Sequence, residues 1–164
     1  MSKKILAVLL LYLSLMCFSG IAYAAEDPID ELYEQLMEKY PNVEAIKEQF
    51  GAEAEWQEET FPSLHDDTIE LIIRRMEYPG IEISTLEMGD SCSVALVNVK
   101  KAGYVDFLGI DIDSAKEDVT KKFGEPQQIE GDQLIYHNES EYTYITFTLE
   151  NNQVAEMRYV IYTD

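Results

Sequence analysis

The strongest constraint on this chain is a stretch that it writes twice. "EAIKEQFGAEAEW" (residues 44–56) and "EDVTKKFGEPQQI" (residues 117–129) are each a short amphipathic run ending at Phe-Gly, 73 positions apart. In both, a last apolar anchor precedes the residue that most readily turns left-handed and closes a helix. The echo continues past the helices. "LIIRRMEYPGIEIST" parallels "IYHNESEYTYITFTL", which sets Glu77-Tyr78 against Glu141-Tyr142, Ile81 against Ile145 and Ile83 against Phe147. Farther on, "VALVNV" (94–99) parallels "VAEMRY" (154–159). Self-similarity at a fixed period is the signature of repeated supersecondary units. The expected architecture is α+β: two tandem units, each a helix followed by three strands, joined in one antiparallel sheet with the helices packed on one face. Unit one is expected over about 42–99 and unit two over about 110–162. The spacing of matched positions falls from 73 at the helices to 64 and then 60 at the strands, so unit one carries longer connections, especially "QEETFPSLHDD".

Local signals place the helices. Asp27 is positioned to cap a helix over 28–40, Pro28 suits its first position, and Ile29, Leu32, Leu36 and Tyr40 form a stripe at helical spacing that Pro41 ends. Asn42 heads a second helix with Val43, Ile46 and Phe50 inward and Gly51 as its stop. Ser114 and Glu117 have the spacing of a capping box for a third, which buries Val119 and Phe123 and ends at Gly124 and Pro126.

The first residues read as a leader. Lys3 and Lys4 precede an apolar run from Ile5 to Phe18, and Ala22-Tyr23-Ala24 supplies a small-x-small cleavage pattern, so residues 1–24 are expected to be a signal peptide and 25–164 a single exported domain, periplasmic or extracellular. Met16 is too large for the residue that precedes a lipid-modified cysteine, so Cys17 is not expected to carry an anchor, and no membrane insertion is expected after cleavage. Cleavage removes two of the 12 basic residues and none of the 32 acidic ones, leaving 10 − 32 = −22. A field of that sign repels nucleic acid and anionic lipid; it reads first as solubility outside the cell, with steering toward a basic partner as the alternative. Cys92 alone remains after cleavage, in the strand-like "SCSVALV", so no internal disulfide is expected and the thiol reads as buried and inert.

Register decides which face of the last hairpin is wet. On 142–149, Thr143, Ile145, Phe147 and Leu149 alternate with Tyr142, Tyr144, Thr146 and Thr148, and the last strand offers Ala155, Met157, Tyr159 and Ile161 as its apolar set. A two-residue Asn151-Asn152 turn opposes Phe147 to Glu156, so a three-residue turn, Asn151 to Gln153, is expected, pairing Phe147 with Met157 and Ile145 with Tyr159. The helix-free face then carries Tyr142, Tyr144, Thr146, Thr148, Arg158, Val160 and Tyr162, continued in unit one by Tyr78, Glu82, Ser84, Leu96 and Asn98. Each tyrosine brings roughly 150–250 Å² of surface, so three neighbours approach the roughly 300–600 Å² at which a patch is often functional. The competing expectation is that the N-terminal helix or the long loop covers this face.

The stretch 109–160, with its glycine-led entry, short helix, Gly-x-Pro stop, tyrosine strand and "F-x-L-x-N-x-x-V" hairpin, resembles the repeat shared by secreted β-lactamase inhibitor proteins and the small outer-membrane lipoprotein of the barrel-assembly machinery. The resemblance implies helices on one side of an antiparallel sheet, no enzymatic activity and, as in the tandem inhibitors, a concave sheet face that holds a partner. The chain lacks the inhibitors' disulfides and the lipoprotein's anchoring cysteine.

Catalytic signals are thin. His65-Asp66-Asp67 is the one histidine–carboxylate cluster, and adjacent loop residues rarely converge on one ion. "DIDSAKED" (111–118) lacks the loop glycine and terminal glutamate of an EF-hand, and His137 sits at a strand end as a structural residue. The expected function is therefore a non-enzymatic protein-binding or inhibitor-like module, without cofactor or metal, acting through Tyr142, Tyr144, Thr146, Arg158, Tyr162 and Tyr78. An envelope structural or assembly accessory and a hydrolase using paired carboxylates are the alternatives.

Overall fold

A computed structural model describes residues 27–51, 55–63, 66 and 68–162. The leader read over 1–24, Cys17, and His65 and Asp67 lie outside these residues.

Among the described residues three helices form, and the first two carry the caps their sequences predict. In α1 (Pro28–Lys39) the Asp27 carboxylate accepts from the Ile29 amide at 2.9 Å, and Ile29, Leu32 and Leu36 are buried. In α2 (Val43–Phe50) the Asn42 side chain accepts from the Ala45 amide at 2.9 Å. The third, α3 (Lys116–Phe123), buries Val119 and Phe123, but the capping box does not form. Ser114 Oγ accepts from the Asp111 amide at 3.0 Å instead, and the Ser114 carbonyl accepts from the Val154 amide at 2.9 Å, so its backbone is held by the last strand. Gly51 and Gly124 follow α2 and α3 with φ of 99° and 81°, the left-handed side on which a glycine costs nothing. None of these helices is long and apolar enough to cross a membrane.

Eight strands follow: β1 (Glu55–Pro62), β2 (Glu70–Tyr78), β3 (Ile81–Met88), β4 (Ser91–Val99), β5 (Gln128–Glu130), β6 (Gln133–His137), β7 (Thr143–Glu150) and β8 (Gln153–Ile161). They build one antiparallel sheet in the order β1-β2-β3-β4-β8-β7-β6-β5. Each unit is thus a helix and a four-strand meander; the expected three strands omitted the edge strand of each. The two meanders meet where β4 pairs with β8, with Asn98 opposite Arg158. These two residues are 60 positions apart, the repeat spacing of the last strands, so a local two-fold passes through their pair.

The repeat extends to a defect. Between Ser84 and Thr85 the β3–β4 register shifts and leaves Ala95 unopposed; between Thr148 and Leu149 the β7–β8 register shifts and leaves Ala155 unopposed. Both bulges sit in the matched "VA" of 94–95 and 154–155, and each shifts the parity of its strand so that Val94 and Val97, like Val154 and Met157, are all buried. This is how the last hairpin resolves its conflict. Asn151 and Asn152 form a two-residue turn with φ of 53° and 63°, not the expected three-residue one, and Leu149 pairs with Val154. The bulge at Ala155 then restores Phe147 opposite Met157 and Ile145 opposite Tyr159. Glu156 is opposed to Thr148, and no charge enters the core.

The core lies between the helices and one sheet face. Leu32, Leu36 and Ile46 meet Met76, Ile83, Val97, Ile145, Phe147, Met157 and Tyr159, all fully buried. Full burial of each such aliphatic side chain is worth about 1.5–3 kcal/mol. α1 has no counterpart in unit two: it contacts β4, β7 and α3, and a Glu31–Lys122 ion pair of 3.1 Å ties it to α3.

Candidate functional site

Alternation along the strands sends every second side chain to the face opposite the helices. Register then sets those side chains in rows across the sheet. One row runs Gln57, Arg75, Ser84, Leu96, Val160, Tyr144, His137; the next runs Glu55, Glu77, Glu82, Asn98, Arg158, Thr146, Ile135, Gln128. Five of the six residues singled out from sequence therefore share this open face. Thr146 is directly opposite Arg158, and the backbone bond from the Tyr162 amide to the Tyr142 carbonyl (2.8 Å) sets Tyr142 beside Tyr162.

The tyrosines form a corner. The rings of Tyr144 and Tyr162 meet edge to face at 5.3 Å, and Tyr144 also lies 5.5 Å from the ring of His137. Tyr142 and Tyr162 keep 51% and 56% of their surface exposed, while Tyr144 is half-buried between its neighbours. No described helix packs on this face, which excludes α1 as its cover. His137, assigned only a structural role from sequence, belongs to the cluster.

Tyr78 does not belong to it. The two-residue Pro79-Gly80 turn puts Tyr78 directly opposite Ile81, so Tyr78 points to the helix side, 7% exposed, with its ring 5.4 Å from Phe50. Its counterpart in unit two is Tyr136, not Tyr142: Tyr136 is opposite Ile145 as Tyr78 is opposite Ile81. Turn length was the signal that set this parity. Gly80 is obligatory there, with φ of 102° and a Cβ position 2.6 Å from Lys101 Cβ.

Unit one adds what the sequence reading missed, an apolar strip of Phe61, Leu71, Ile73 and Leu86 that Leu96 and Val160 carry toward the tyrosines. Beside it the charges are unbalanced. Arg75 pairs with Glu82 at 3.0 Å and Lys100 approaches Glu156 at 3.7 Å, but among the described residues Glu55, Glu59, Glu77 and Arg158 have no ion-pair partner. Glu55, Glu77 and Glu82 stand side by side on adjacent strands, an arrangement that like-charge repulsion disfavours.

Elsewhere, polar groups are taken up by the fold. Asp111 accepts from the amides of Ile112 (2.7 Å) and Gly103 (3.0 Å), fixing the loop before α3. Cys92 is half-buried near Arg74 and Glu87, and burial first, then the Glu87 charge, pushes its thiol pKa up, which keeps it protonated at neutral pH. Among the described residues, no three His, Cys, Asp or Glu side chains are grouped to hold a metal ion. A depression of about 380 Å³ lies at the far end of unit two and is lined by Lys116, Asp132, Glu150 and the Asn151-Asn152 turn.

Comparison with protein-family models, curated proteins and solved structures finds no match to this chain.

Proposed function

We propose that the chain is an exported, non-enzymatic binding module that holds a basic protein partner against its open sheet face. The observation that carries this reading is the placement of the three described helices on one side, which leaves Tyr142, Tyr144 and Tyr162 on the other, with the rings of Tyr144 and Tyr162 in contact. Tyrosine favours such a role because it brings large area at little cost in rotamer freedom. The unpaired glutamates of the same face and the overall acidic charge favour a cationic partner and fast, salt-sensitive association.

The test is affinity capture from the native exported fraction with wild-type, Tyr144→Ala and Glu48→Ala baits, the last altering the outer side of α2. A basic protein retained by wild type and Glu48→Ala but lost by Tyr144→Ala supports the reading. Equal retention by all three baits would move the partner to another surface. Retention that needs a small substrate or yields a chemical product would replace the module with an enzyme.

A further inference from the structure

The two edges of the sheet are unlike. At the unit-two edge, β5 has three residues between Pro126 and Gly131, which blunts it. At the unit-one edge, β1 has eight residues, and every one of them pairs with β2 on the inner side. Nothing among the described residues pairs with its outer side. All of its residues are exposed except the half-buried Phe61, it has no bulge, and its single proline is the last residue. A strand of this length with a free row of amides and carbonyls is a template for one more strand.

Its side chains say which strand. On the open side β1 presents Glu55, Gln57, Glu59 and Phe61; on the helix side it presents Trp56, Glu58 and Thr60. Glu58 is paired with Arg74 at 2.8 Å, a guanidinium it shares with Glu87, whereas Glu55 and Glu59, four residues apart on one side, are not paired. Trp56 is 40% exposed and already takes the Lys47 ammonium over its ring at 4.4 Å. A second copy of this chain fits poorly, because antiparallel pairing of β1 with itself keeps each side chain on its own face and, about the middle of the strand, sets Glu58 against Glu58 or Glu59 against Glu59, acid against acid.

We propose that β1 is a second docking site, which accepts an extended, basic segment of a protein partner as a ninth strand. The segment runs antiparallel to β1, with lysine or arginine at two positions four residues apart to meet Glu59 and Glu55, and an apolar residue on the alternate side to cover Trp56. Backbone hydrogen bonds supply the binding and the glutamates select the charge.

The probe is the capped octapeptide TVVKVTVK added to the intact chain, with TVVEVTVE as its acidic counterpart and two N-methylated forms of the basic peptide, methylated on one or the other alternate set of amides. The expected result is salt-sensitive binding of the lysine peptide, loss of binding for one N-methylated form only, and slowed amide exchange confined to β1. Glu59→Lys, checked for unchanged melting, weakens affinity about tenfold or more, while Tyr144→Ala leaves it unchanged, so the site stands or falls apart from the open face. The proposal is overturned by no binding at about 1 mM peptide, by equal binding of both N-methylated forms, by equal binding of the acidic peptide, or by protection elsewhere than β1.

Discussion

The Tyr78 hydroxyl donates to the Gly51 carbonyl at 3.0 Å, and Tyr136 makes the same bond to Gly124 at 3.1 Å. In each unit the ring of that tyrosine also packs on the phenylalanine before the glycine, at 5.4 Å for Phe50 and 5.6 Å for Phe123. The repeated Phe-Gly is therefore more than a helix stop. It is one half of a clasp whose other half is the tyrosine of the second strand, and the clasp fixes where each helix end sits on the sheet. Removing only the hydroxyls tests this. Tyr78→Phe and Tyr136→Phe should each cost about 0.5–1.5 kcal/mol in denaturant melts, with similar values for both, because each leaves a partly buried carbonyl without its donor. A cost confined to one of them would show that the two clasps do not bear the same load.

The clasp also predicts an alkaline limit. Burial first, and then the Glu125 charge, pushes the Tyr136 pKa up to about 12, and burial raises those of Tyr78, Tyr40 and Tyr159 as well. A phenol that ionises less readily in the folded chain holds its proton there while the unfolded chain gives it up. Stability is thus fully present below the free-tyrosine value near pH 10 and falls as pH rises from there through 12. Denaturant midpoints across that range should drop, and Tyr136→Phe should lessen the drop. A flat profile would mean that these hydroxyls reach water.

What was legible in the sequence was what local chemistry decides. Asp27, Asn42, Gly51 and Gly124 mark helix ends by their own hydrogen bonds and dihedral angles, and the "VA" pairs marked two strands that proved equivalent to the bulge. β1 was illegible because its helix-side row, Trp56, Glu58 and Thr60, lies at the sheet margin, where only Trp56 is strongly apolar, so no period-two apolar pattern appears. Tyr78 was misplaced because its face depends on whether Pro79 and Gly80 make a two-residue turn, a fact about pairing and not about composition. The Asn-Asn turn was rejected for a sound reason, the clash of Glu156 with Phe147, which the fold answers with a bulge. Of the candidate site, the tyrosine alternation on β7 was visible; the apolar strip of unit one was not, since Leu71, Ile72 and Ile73 offer apolar side chains to both faces.

Asn152 provides a check on that hairpin. With φ of 63° it occupies a left-handed position that Asn and Gly adopt at less cost than most residues. Asn152→Gly should leave the melting temperature unchanged or raise it, while Asn152→Ala should cost about 1–2 kcal/mol. If alanine were accepted without loss, the turn would be longer than two residues and the bulge at Ala155 unnecessary.

Tyr144 and Phe147 lie on one strand, three residues apart, with opposite assignments. Phe147 is fully buried, with Phe123 at 5.1 Å, Tyr136 at 5.9 Å and Phe107 at 6.1 Å, whereas Tyr144 stands on the open face against Tyr162. Phe147→Ala should therefore cost about 3–5 kcal/mol of stability and reduce partner binding only through the unfolded fraction. Tyr144→Ala should cost little in a melt and weaken the captured partner by about 1–3 kcal/mol, because the hot spot of a binding face is lost while the core is untouched. Measuring both quantities for both variants separates the two roles, since a merely destabilising change moves binding and melting together. Should Tyr144→Ala lower the melting midpoint as far as Phe147→Ala and leave the partner's affinity per folded molecule unchanged, the open face would be part of the fold's support, and the partner would have to be sought elsewhere, first at the free edge of β1.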